Sequence, residues 1–78
     1  MLLKDFWTKG KMDRFDVPNQ KRTREDTAAA CQPRCVAVVE CCYFTYWKFD
    51  RGCELSTHYA KKVVDEKAVS GPVPCTKK

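Results

Sequence analysis

Apolar and polar positions divide the chain near residue 24. Before that point no hydrophobic period persists, and Gly10, Pro18 and Asn19 punctuate the run. It reads as an extended arm with at most one short helical turn near Leu2 to Thr8. From Thr23 the pattern changes: Thr23 and Asp26 can cap orphan backbone amides, three alanines follow, and a helix is expected to start between Thr23 and Asp26. Laid out at 100° per residue, Cys31, Cys35, Val38, Cys42, Thr45 and Phe49 fall within about 80° of arc, one face of a first helix. Val36, Val39, Tyr43, Phe44 and Tyr46 widen the apolar surface beyond a seam, so burial on more than one side is expected. A strand competes at VAVVECCYFTYW, where β-branched and aromatic residues abound, but alternation is poor and the run is long for a strand. Asp50-Arg51-Gly52 reads as a turn, with Gly52 available for a left-handed helix end. A second helix is expected from Glu54 or Ser56 to Val69, with Cys53, Thr57, Ala60, Val64 and Ala68 lining one side, before Ser70-Gly71-Pro72 ends it. The predicted fold class is all-α: an extended basic arm, residues 1–24, then a disulfide-stapled antiparallel helical hairpin, residues 25–78.

Composition turns this outline into a cross-linked one. Seventy-eight residues allow one small core, and the chain carries six cysteines: Cys31, Cys35, Cys41, Cys42, Cys53 and Cys75. Such usage points to disulfides in an oxidising space. If the first helix is continuous it holds four of the six cysteines, and only Cys53 and Cys75 can receive bridges from elsewhere. Cys41 or Cys42 is then expected to reach Cys53, and Cys31 or Cys35 to reach Cys75. The two left over form a local pair, stay as buried thiols or face another subunit, unless Pro33 breaks the helix. A structural zinc site of Cys31, Cys35, Cys41 or Cys42 and His58 is the weaker chemical reading, because C-x3-C is not the common knuckle spacing. With one histidine, no paired acids beside a nucleophile, no Gly-rich phosphate loop and no C-x-x-C, the residues form no catalytic constellation. A non-enzymatic protein without a cofactor is expected.

The charge belongs mainly to the arm. Residues 1–24 hold seven Lys or Arg and three Asp, whereas the other 54 residues hold eight basic and seven acidic side chains. Phe6, Trp7, Phe15 and Val17 are unusual in a free tail, so they are expected to anchor the arm on a partner together with Tyr46 and Trp47, the alternative being that they cover the chain's own core. Lys21, Arg22 and Arg24 also fit a processing site of a secreted precursor. No stretch approaches the apolar length of a membrane span, and the first residues show no uninterrupted apolar run of a cleavable signal. A signal already removed, or synthesis in the cytosol, would account for that.

Counting outward from the turn, Cys31 and Cys41 enclose nine residues, eleven follow, and nine residues after Cys53 comes Val63. This C-x9-C, C-x9-V pattern resembles the twin C-x9-C, coiled-coil-helix-coiled-coil-helix family of mitochondrial hairpins with its last cysteine missing. The resemblance implies a Cys41–Cys53 inner bridge and leaves Cys31 without its outer partner. Phe15 to Arg24, F-D-x-P-N-Q-x-x-T-R, is also similar to the arm of the small intermembrane-space subunit of cytochrome c oxidase. These likenesses imply a structural accessory subunit of a respiratory-chain complex in the mitochondrial intermembrane space, contacting protein subunits and peripherally membrane lipid. A mitochondrial ribosomal subunit touching nucleic acid is a second reading. The opposing class is a secreted cationic toxin, hormone or inhibitor, since the order C, C, CC, C, C is also that of cystine-knot peptides. That likeness implies Cys31–Cys42, Cys35–Cys53 and Cys41–Cys75.

Overall fold

The computed structural model describes residues 7–13, 16–18 and 20–74. Its architecture is antiparallel β with one helix. In chain order the elements are β1 (Thr8–Lys9), β2 (Lys11–Asp13), β3 (Thr23–Arg24), α1 (Ala28–Val36), β4 (Tyr43–Trp47), β5 (Gly52–Ser56), β6 (Lys61–Val63) and β7 (Ala68–Pro72). Five strands form one sheet in the order β1-β7-β4-β5-β3, and β2 pairs with β6 in a separate two-stranded ribbon.

This overturns the all-α hairpin. The stretch assigned to the second half of the first helix is the central strand β4, Tyr-Phe-Thr-Tyr-Trp, whose aromatic and β-branched side chains suit a pleated surface. Its register explains why strand alternation was hidden. Phe44 and Tyr46 share one face with Leu55 and Cys53, directly opposite on β5, and α1 packs there. Tyr43, Thr45 and Trp47 take the other face, where the Met12 amide of the ribbon donates to Thr45 Oγ1 at 2.9 Å. A strand covered on both faces needs no polar side. The predicted second helix is likewise replaced, by β5, β6 and β7 with the intervening turns.

The helix starts later than the Thr23 to Asp26 expected: Thr23 and Arg24 belong to β3, and Thr27, in extended conformation, is the cap that accepts the Ala30 amide on its side chain. It runs through Pro33 and stops at Val36, capped by the Ala37 amide donating to Pro33 and Cys35 carbonyls. The β-branched Val38 and Val39 follow, and the chain reverses so that Cys41 returns to Cys35, their Cα atoms 5.2 Å apart. Six residues along a continuous helix would be about 9 Å apart.

The cysteine pairing is therefore neither of the two expected. Cys31 bridges Cys53, tying α1 to β5, and Cys35 bridges Cys41, closing the turn after the helix. Cys42 is also disulfide-bonded, and Cys75 lies outside the described residues. The Cys41–Cys53 staple implied by the hairpin resemblance is absent, as are the Cys31–Cys42 and Cys35–Cys53 bonds of a cystine knot. Only a reversal after Val36, invisible to a helical projection, brings Cys35 to Cys41.

The segment read as an arm supplies β1, β2 and β3, each paired with a strand from beyond residue 24. Trp7 meets Phe44 edge to face, with ring centroids 5.3 Å apart, and lies over Gly71, where an added Cβ would come within 2.5 Å of the indole. Val17 is buried beside Leu55, whose carbonyl accepts the Val17 amide at 3.0 Å. The core of α1, β4 and β5 is thus closed by residues from the first quarter of the chain.

Candidate interaction surface

One end of the sheet carries an ordered concentration of charge around the β4–β5 turn. Strand β4 ends at Trp47, the chain turns through Lys48 to Arg51, and β5 begins at Gly52. The turn read from Asp50-Arg51-Gly52 is present, but the left-handed residue is Arg51, with φ 62°, and not the glycine. Gly52 is required for a different reason. A Cβ there would fall on the Arg22 guanidinium, which lies over the Trp47 ring 4.6 Å from its centroid.

Arg22 donates from Nη2 to both Asp50 carboxylate oxygens, at 2.7 and 2.6 Å. Asp50 Oδ1 also accepts the Gly52 amide at 2.9 Å, so one carboxylate fixes the turn from inside and from the neighbouring segment. The Arg51 carbonyl accepts the Glu25 amide at 2.9 Å, joining the turn to the entry of α1. Arg34 and Arg51 approach Glu25 and Asp26 at 3.5 Å each. Exposed ion pairs of this kind add little stability individually, but Arg22, bonded through Nη2 to both Asp50 oxygens and laid over the Trp47 ring, restricts the turn.

Phe49 stands at the apex of this braced turn with 71% of its surface exposed. It lines a hollow of about 300 Å³ with Arg24, Glu25, Asp26, Asp50 and Arg51. Nearby, Glu54 faces Asp16, Arg22, Asp50 and Lys11. Its carboxyl is raised above the ordinary 4.5, chiefly by burial and next by Asp16, with Arg22 opposing. The surrounding arginines are largely matched by acids, whereas Lys9, Lys11, Lys61 and Lys62 stand on β1, β2 and β6.

Of the residues proposed from sequence to bind a partner, Tyr46 is buried and its hydroxyl donates to the Glu25 carbonyl at 2.9 Å. Val17 is in the core, Trp7 packs on Phe44, and Trp47 lies beneath Arg22. Phe6 and Phe15 lie outside the described residues. The structure brings Tyr46 and Trp47 together on one strand and leaves Phe49, assigned from the sequence to a helix face, exposed. The sequence offers no local signal for this surface, because Arg22 meets the Asp50-Arg51-Gly52 turn only through the fold.

No protein-family model, curated protein or solved structure matches this chain. The mitochondrial hairpin resemblance is not sustained, because the described residues form one short helix and two sheets, and Cys41 and Cys53 are bonded to other cysteines. The respiratory-chain accessory subunit that rested on it falls with it. Cys31, Cys35, Cys41 and Cys42 are all disulfide-bonded, so the zinc set they would form with His58 lacks its thiolates. Among the described residues no helix is long and apolar enough to cross a membrane.

Proposed function

We propose that the chain is a disulfide-stapled binding module of the secreted toxin, hormone or inhibitor class, acting by presenting the Trp47–Gly52 turn to a protein partner. The observation that carries this reading is Phe49. A large apolar ring is held in water at the apex of a turn that is braced on both sides. Burying it against a partner gains apolar contact while little conformational freedom remains to be lost. Disulfides in a chain this small are the usual substitute for a large core in an oxidising space, which favours the secreted setting over the cytosol.

The test places a photo-reactive phenylalanine analogue at position 49 and, in a second sample, at position 39. Val39 is also exposed but lies at the far end of β4 from the turn. Irradiation on intact cells of the native source is expected to give one adduct of defined mass from position 49, competed by excess wild-type chain and not by Phe49→Ala. Equal adducts from both positions, or competition by Phe49→Ala, would overturn the assignment to the turn. Chain recovered from that source should bind no alkylating agent at its cysteines until it is reduced. Labelling without reduction would overturn the secreted setting.

A further inference from the structure

The ribbon-facing side of the sheet has a character unlike the side under α1. Register places Thr8 opposite Ser70, and Ser70 opposite Thr45, which in turn faces Glu54. A row of hydroxyls ending in a carboxylate therefore crosses four strands on the face that β2 and β6 cover. Thr45 uses its hydroxyl to receive the Met12 amide, and Thr8 accepts from Lys62 Nζ at 2.5 Å. Ser70 is 1% exposed, and its Oγ has no hydrogen-bond partner among the described residues. A buried hydroxyl without a partner costs stability that a purely structural residue such as alanine would avoid.

Ser70 lines a cleft of about 270 Å³ between the sheet and the ribbon. Met12, Tyr43, Ala60, Gly71 and Pro72 supply its apolar or backbone walls, and Thr8 and Lys62 complete it. No acidic side chain is among these lining residues. Lys62 is exposed, and its ammonium has two hydrogens left after the bond to Thr8. The cleft thus combines apolar walls, an unused buried hydroxyl and a cation held at a fixed point.

We propose that this cleft binds a small organic acid, its apolar body against Met12, Tyr43 and Pro72 and its carboxylate shared by Lys62 Nζ and Ser70 Oγ. A cation with a hydroxyl recognises an anionic oxygen through charge-assisted hydrogen bonds, and the walls exclude a ligand that is charged throughout. This site is separate from the Phe49 turn and does not depend on it.

Phenylacetate is the probe. Titrated into isotope-labelled, fully oxidised protein, it is expected to give saturable amide shifts centred on Thr8, Lys62, Ser70 and Gly71. Phenethylamine, with the charge reversed, and acetate, without the ring, should each bind at least about ten-fold more weakly. Lys62→Gln, a change at an exposed side chain, should weaken phenylacetate about ten-fold while the amide spectrum away from the cleft stays that of the wild type, and Ser70→Ala should weaken it by a smaller factor. Equal binding of phenethylamine or acetate, shifts centred elsewhere, no shifts, or unchanged affinity in Lys62→Gln would each overturn the proposal.

Discussion

Removing the two described disulfides one at a time separates what each contributes. The Cys31–Cys53 bond closes a sequence separation of 22 residues, and the Cys35–Cys41 bond one of 6. In the chain-entropy model these restrict the unfolded state by about 3.4 and about 2.2 kcal/mol at 25 °C. Because the small ring is nested in the large one, the effective length of the large ring is shorter, which trims its value by about 0.3 kcal/mol. All four sulfurs belong to buried residues, so the packing lost on replacement by alanine is similar for the two pairs and largely cancels between them. The Cys31→Ala/Cys53→Ala variant should therefore be less stable than Cys35→Ala/Cys41→Ala by about 1 kcal/mol, a difference of about 4–8 °C in Tm for a domain of this size. Thermal melts followed by circular dichroism measure it, with peptide mass mapping to establish that each variant keeps its other bridges. If the Cys35/Cys41 variant melts at or below the Cys31/Cys53 variant, the larger ring is not the principal staple and the reasoning fails.

Three further outcomes follow from the packing and the charges. Gly71→Ala should cost about 1–3 kcal/mol and shift the tryptophan emission, since the new methyl meets Trp7 at 2.5 Å and Phe44 at 3.2 Å; denaturant titration with fluorescence detection reads both. Tyr46→Phe should cost about 1 kcal/mol in the same titration, because it leaves the Glu25 carbonyl without the hydroxyl now 2.9 Å away. Glu54 binds its proton more tightly in the folded state than the ordinary 4.5, through burial first and Asp16 second, so its contribution to stability falls as pH rises from that value through the folded one. Glu54→Gln should remove that fall, and melts from about pH 4 to about pH 7 should be flatter for the variant than for the wild type.

Several features were legible without coordinates. Six cysteines in a short chain meant a cross-linked domain with a single small core, the alanine run forms a helix although its cap is Thr27 and not Thr23 or Asp26, and Asp50-Arg51-Gly52 lies at a reversal. Of the candidate surface, Trp47 was named, but Phe49 and its Arg22–Asp50 brace were not. Their meeting depends on residues 28 apart in sequence whose partnership no local pattern reports.

Local sequence determined the capped helix, the turn and the need for covalent staples, because those depend on neighbouring residues and on chain length. Tertiary structure alone decided that Tyr43 to Trp47 is a strand, that Cys31 joins Cys53, and that Trp7 and Val17 close the core. Strand β4 is covered by α1 on one face and by the β2–β6 ribbon near Thr45 on the other, so its side chains lack the alternation that marks a half-buried strand. Cysteine pairing was hidden by the same non-locality. Once the chain leaves the helix after Val36, the distance between two cysteines is set by sheet register and no longer by the rise of a helix.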